Sequence, residues 1–227
     1  RVAGLLSSAG WSVAVFADVQ SNPTVRDVKA GLAACGQAEV LVAIGGGSVI
    51  DVAKGIGLLA TNGGSYADYQ WRGQPIIRPI LPLIAVPTTA GTGSEATKVT
   101  VIADEETHFK KGVLSPHLFP RTAVVDPELT LSLPPKLTAA TGADVVVHAV
   151  EAFIGNRANP VSDALALTAL ERAWRSLPRV TRHGDDPQAR ADMALASTLA
   201  GMAFDQSGLG IIHSLAGPLA GHYDLHH

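Results

Sequence analysis

Residues 40–54 read VLVAIGGGSVIDVAK. The apolar run from Val40 to Ile44 is short enough to be a buried parallel strand. Gly45, Gly46, Gly47 and Ser48 follow at once, and residues 49–59, bearing Asp51 and Lys54, then read as a helix. A strand that passes through such a turn into a helix points bare backbone N–H groups outward at the helix N-terminus, where the dipole favours an anion. Without Cβ atoms the turn lets a pyrophosphate come close. This reading is preferred to the plain one, a tight turn that needs positive φ. The turn is neither GxGxxG nor a Walker sequence.

Outward from this stretch the alternation continues. Residues 2–9 predict the end of a helix, 11–16 (WSVAVF) a strand and 25–34 a helix, so the first sixty residues predict a parallel sheet with helices on its faces. Residues 62–78 read as a loop, 81–86 as a strand, and 99–103 and 123–125 as further strands. After Pro134 and Pro135 the pattern becomes helical and rich in Ala and Leu, with helices expected at 138–154, 160–178, 188–204 and 209–220. The boundary is placed there, giving an α/β domain over residues 1–135 and an all-α domain over residues 136–227.

A second turn, PTTAGTGSE at 87–95, also follows a strand and offers Thr88, Thr89, Thr92 and Ser94 as donors beside two glycines. Its plain alternative is a loop whose hydroxyls cap the next helix. Two such turns after parallel strands support each other, because open α/β sheets bind ligands at the carboxyl ends of their strands.

Composition narrows the field. Of 227 residues, 47% are hydrophobic and only 16% charged, which excludes a disordered chain or a coiled coil. A net charge of -3 with no basic block argues against nucleic-acid binding. The one cysteine, Cys35, cannot form an internal disulfide, so a reducing, cytoplasmic setting is the default. The longest uncharged run, 206–223, is broken by glycines, Pro218 and two histidines, unlike a membrane span. The chain opens on Arg1 and closes on His226 and His227, which suggests a piece of something longer.

Asp144 and His148 stand four apart, on one face of an expected helix, a spacing suited to two metal ligands and equally to a surface pair. His213, in LGIIHSLAG, reads as a third ligand or as a hydrogen-bonded core residue. With one terminal histidine these would make an Asp/His3 site suited to Fe(II) or Zn(II). His108, His117 and His183 read as solvated, residues 104–106 as a solvated turn, and Cys35 as packing.

Taken together, SNPTV (21–25), VAIGGGSVIDVAK (42–54), PTTAGTGSEAT (87–97), VVDPELTLSLPPKLTAATGADVVVHAVEAF (124–153) and GLGIIHSLAGPLAGHYDLHH (208–227) resemble the iron-containing (group III) alcohol dehydrogenase family, end to end and in family order. The resemblance implies a Rossmann-like dinucleotide-binding domain, then an all-α metal-binding domain of the dehydroquinate synthase-like type, with the site in the cleft between them. It implies that Gly46, Gly47, Ser48 and Asp51 hold the pyrophosphate region of NAD or NADP. Thr88, Thr89, Thr92 and Lys110 would line the rest of that site. It implies Asp144, His148, His213 and His227 as ligands of Fe2+ or Zn2+, His227 being selected over His226 by the family's spacing of fourteen from the third ligand.

Three departures accompany it. The family's first strand, with the acidic residue that helps choose NAD over NADP, has no counterpart before Arg1, and members continue well past the last ligand, so the chain is expected to be truncated at both ends. Many members also carry a histidine four residues after the third ligand, where this chain has Gly217. His222 and His226 are the candidates to replace it in proton relay. The implied activity is hydride transfer between NAD(P) and a small alcohol or aldehyde, with the metal as Lewis acid. Self-association is expected by analogy, and neither a nucleic acid nor a membrane is an expected partner. The rivals are a dehydroquinate synthase-like enzyme and a non-catalytic nucleotide-binding fragment.

Overall fold

The computed structural model describes residues 1–105, 107 and 109–223, and the side chains of 218 and 220–223 lie outside that description. The decisive stretch folds as read. Strand β1 (Leu41–Gly45) runs into helix α3 (Gly47–Asn62) with only Gly46 between them. β1 pairs in parallel with β2 (Leu83–Pro87), in the register Leu41↔Leu83 to Gly45↔Pro87. The short β5 (Thr122–Ala123) lies on the other side of β2, also parallel, so the sheet order is β1-β2-β5. Helices α1 (Val2–Ser8) and α2 (Val25–Cys35) precede the sheet. Its core packs Val28 of α2 with Ile50, Val52, Ile56 and Leu58 of α3, and with Ala43, Leu83 and Ala85 of the sheet.

Residues 11–16 are not a strand. β1 pairs with β2 and, among the described residues, with no other strand, so WSVAVF has an alternating pattern without a ladder to complete it. Trp11 and Val15 are 56% and 71% exposed, while Phe16 and Val19 turn onto the core. The expected loop at 62–78 contains a short helix α4 (Tyr66–Gln70), started by a reciprocal cap between Ser65 and Asp68. It places Tyr66 wholly inside the core, where its hydroxyl meets Thr100. The strand expected at 99–103 is β3 (Val99–Ala103), but it belongs to a separate antiparallel pair with β4 (Lys110–Leu114).

From residue 135 the chain is helical: α5 (Pro135–Ile154), α6 (Pro160–Arg182), α7 (Pro187–Ser207) and α8 (Ile211–Tyr223). The first three each open with proline at the first helical position, where its missing N–H costs nothing. Asn159 and Asp186 cap α6 and α7 through their side chains. Alanines fill the seams: Ala149, Ala169, Ala173, Ala189, Ala196 and Ala200 are all buried, which lets the helix axes approach closely. α5 is long and apolar enough to cross a membrane, yet nearly half of it is buried between α6 and α7.

The two halves are fastened by the segment between β2 and β3. Lys54 of α3 is fully buried, and its ammonium donates to the carbonyls of Ser94, Thr97 and Val99 at 2.7, 2.9 and 2.7 Å and to the hydroxyls of Ser94 and Thr97. On the far side, Thr198 of α7 donates to Glu95 at 2.7 Å, and Lys98 pairs with Asp205 at 2.8 Å. Gly93, at φ +62°, packs its backbone directly on Gly201 of α7, where a Cβ would come within 2.7 Å of the Gly201 Cα. Burial lowers the Lys54 ammonium to about 8, against the carboxylates of Asp51, Glu95 and Asp205 that hold it up. Lys54→Met removes the donor and orphans a cluster of buried oxygens. It should cost about 3–5 kcal/mol in denaturant unfolding, whereas Lys29→Met on the exposed face of α2 should leave stability nearly unchanged.

Candidate active site

The glycine turn owes its composition to close approach. None of Gly45, Gly46 or Gly47 has positive φ, and Gly46 caps α3 in an extended conformation (φ -74°, ψ -175°). A Cβ on Gly47 would lie 2.6 Å from both the methyl and the hydroxyl of Thr92, and one on Gly46 would lie 3.2 Å from the Thr89 methyl. The two turns therefore interlock, glycine against threonine. The Thr88 N–H donates to the Gly45 carbonyl at 3.0 Å as the second turn leaves β2. No side chain caps α3, so its first turn presents backbone N–H groups beside the Thr89 and Thr92 hydroxyls.

The remaining residues expected around a dinucleotide divide into two groups. The Ser48 hydroxyl donates to the Ser21 carbonyl at 2.7 Å and fastens the 21–25 segment over the turn. Lys110, at the start of β4, reaches Asn22 in that same segment at 2.6 Å. Asp51 instead faces the protein. Its carboxylate accepts from the Ser94 hydroxyl at 2.5 Å and the Val101 N–H at 2.9 Å, and its own carbonyl accepts from Thr100. Enclosure pushes the Asp51 carboxyl up, against Lys54 and these two donors. Its place is inside the wall of the site, bracing the second turn.

Asp144, His148 and His213 come together. Their donor atoms all lie within 4.8 Å of one another. Nε2 of His148 and Nε2 of His213 stand 3.5 and 3.3 Å from the same oxygen of Asp144. The two imidazoles stack, with centroids 4.5 Å apart and planes 13° from parallel, and Phe204 of α7 backs His148 at 4.5 Å. Metal–ligand bonds of about 2.0–2.2 Å place neighbouring donors of a tetrahedral or octahedral site roughly 3.0–3.5 Å apart, and both imidazoles stand at that spacing from the Asp144 oxygen. The donor chemistry, one carboxylate and two imidazoles, suits Fe(II) or Zn(II). The residues present therefore fit a divalent cation.

Glu151, which the sequence reading passed over, completes the cluster. It is 2% exposed, lies three residues after His148 and seven after Asp144 on the same face of α5, and accepts from Nδ1 of His213 at 2.6 Å. That helical spacing was the signal in the sequence. Burial pushes its carboxyl up, but the N–H groups of Gly210 and Ile212 and the His213 ring outweigh burial and hold it below the usual range. For His213 burial pulls the imidazole down, and Asp144 and Glu151 more than reverse it, leaving it above its ordinary value.

The two halves of the site adjoin. The Gly91 backbone sits against Thr141, one helical turn before Asp144, with 2.8 Å from a Gly91 Cβ position to the Thr141 Cβ. α8 carries His213 and, one turn later, passes β4, where a Cβ on Gly217 would lie 3.8 Å from the Lys110 carbonyl oxygen. His222 falls in the last turn of α8, its side chain outside the described residues, and His226 and His227 lie outside them altogether.

Known proteins match the chain over nearly all of its length. A family profile described as "Iron-containing alcohol dehydrogenase" matches residues 1–127, and one described as "Fe-containing alcohol dehydrogenase family, C-terminal" matches residues 138–227. Alcohol dehydrogenase 4 of Schizosaccharomyces pombe is 44% identical over 229 residues, covering 100% of this chain and 54% of that protein. The crystal structure of a 1,3-propanediol oxidoreductase superposes with a TM-score of 0.92 at 43% identity, over 98% of this chain and 58% of the other. That of sulfoacetaldehyde reductase from Bifidobacterium kashiwanohense, in complex with NAD+, does so with a TM-score of 0.92 at 37% identity, over 98% and 60%. The chain thus spans little more than half the length of the proteins it matches. The interlocked turns offer a direct check. Gly47→Ala should destabilise the protein by about 1–3 kcal/mol and weaken nucleotide binding, and adding Thr92→Ala should recover part of the lost stability in paired melts while leaving binding weak.

Proposed function

The chain belongs to the iron-containing alcohol dehydrogenase family, and from that premise we propose that the whole protein is a metal-dependent, NAD(P)-linked alcohol dehydrogenase or aldehyde reductase acting on a small alcohol or aldehyde. The observation that carries the proposal is the convergence of Asp144, His148 and His213 one helical turn from the glycine–threonine turns. That arrangement is what hydride transfer requires: a place for an electrophile next to a place for a dinucleotide. Relatives named as alcohol, methanol and 1,3-propanediol dehydrogenases favour this reading over the dehydroquinate synthase-like one.

In this reading each side chain has a task. The α3 N-terminus at Gly46 and Gly47, with Thr89 and Thr92, holds the negative charge of the cofactor's phosphates. Ser48 and Lys110 clamp the 21–25 segment beside it, with Thr88 anchoring the second turn. Asp144, His148 and His213 would hold Fe2+, or Zn2+ in its place, with His227 as the proposed fourth ligand. Such an ion supplies Lewis acidity that polarises a substrate oxygen. The Glu151 carboxylate fixes the His213 ring, and Phe204 and His213 sandwich His148, so the donors are held in place by packing. With Gly217 four residues beyond His213, proton exchange with solvent is assigned to His222 or His226. A division near residue 135 into a dinucleotide domain and a helical metal domain, a cytoplasmic location and self-association belong to the same proposal.

Reduction of NAD+ and NADP+ should be followed with a panel of short alcohols, before and after chelation and after return of Fe2+ or Zn2+. Turnover should vanish on chelation and return with metal, and Asp144→Asn should abolish the recovery. Full turnover in the stripped protein would overturn the reading.

A further inference from the structure

We propose that Glu151 is a positioning residue that builds the His213 end of the metal site before any ion arrives. Its single buried carboxylate fixes both the tautomer of the ring and the start of the helix that carries it. This rests on the metal-site reading above.

Two contacts on two different oxygens make the case. Oε2 lies 2.6 Å from Nδ1 of His213, and a carboxylate can only accept, so Nδ1 carries the proton. That leaves Nε2, the atom 3.3 Å from the Asp144 carboxylate, as the ring nitrogen available to an ion held between the two. Oε1 accepts the Ile212 N–H at 2.7 Å, so the same group satisfies an otherwise orphaned donor at the N-terminus of α8. The negative charge at that end also suits the helix dipole.

The fold accommodates this arrangement. Glu151 and its partners are about sixty residues apart in sequence, separated by the whole of α6 and α7. A Cβ on Gly210 would stand 2.8 Å from Oε1, so a side chain there would push the carboxylate off its two contacts. α5 thereby provides two ligands, Asp144 and His148, and the anchor that orients the third.

Glu151→Gln tests this with little change of shape. The amide can still accept the Ile212 N–H, but its NH2 then faces Nδ1 of His213, which reverses the tautomer and turns Nε2–H toward the ion's position. Zn2+ and Co2+ affinities of the whole protein should be measured by competition with a chromophoric chelator, alongside thermal melts of the metal-free forms. Glu151→Gln should weaken metal binding about 10–100-fold. The double variant Glu151→Gln/His213→Ala should bind no more weakly than His213→Ala alone, because the glutamate acts through the histidine. Gly210→Ala, which alters no donor, should weaken binding in the same direction and serves if Glu151→Gln does not fold. Wild-type affinity in both Glu151→Gln and Gly210→Ala, or full multiplication of the losses in the double variant, would overturn the inference while leaving the metal site standing. Unchanged affinity in His213→Ala would instead bring down the metal site, and this inference with it.

Discussion

An ammonium ion with no water around it must be solvated by the protein, and at Lys54 that requirement organises the molecule. Its charge is met by carbonyl oxygens of Ser94, Thr97 and Val99, so the backbone after β2 has to curl over the face of α3. Asp51, one turn earlier on the same helix, holds Ser94 and Val101 in the same curl. Once that path is fixed, the glycine–threonine interlock follows at one end and the contacts to α5 and α7 at the other. The pyrophosphate-type turn and the metal-type cluster are thus referred to one buried cation, although neither contains it.

Much of this was legible in the residues, and what was not has identifiable causes. β1, its glycine turn and α3 announce themselves because a continuous apolar run ending in glycines has few other solutions. The proline-led starts of α6 and α7 are equally plain. β4 was hidden because KKGVL turns only Val113 into the core, and its identity as a strand comes from hydrogen bonds to β3. The opposite error occurred at 11–16, where the side-chain pattern of a strand exists without a neighbour to pair with. α4 was missed because Asp68 stands where a capping box more often has Glu or Gln.

At the site, helical spacing put Asp144 and His148 on one face and left His213 open between a third ligand and a core residue, and the family resemblance favoured the ligand. The same spacing extended by one step reaches Glu151, but a glutamate after an apolar run reads naturally as the polar face of a helix. Its burial becomes visible only when α8 is folded back onto α5. Asp51 shows the converse: a carboxylate beside a phosphate-type turn invites a role in binding, and only the three-dimensional contacts reveal its attachment to Ser94 and Val101.

The contact of Gly93 with Gly201 has a mechanical consequence. Side chains at a seam act as soft spacers that can change rotamer and let two bodies slide. Here main chain rests on main chain, so there is nothing at that point to slide on and almost nothing to compress. Were the space between the glycine turns and the Asp144–His148–His213 cluster to open, displacement would be smallest beside this point. The two bare glycines therefore act as a fulcrum.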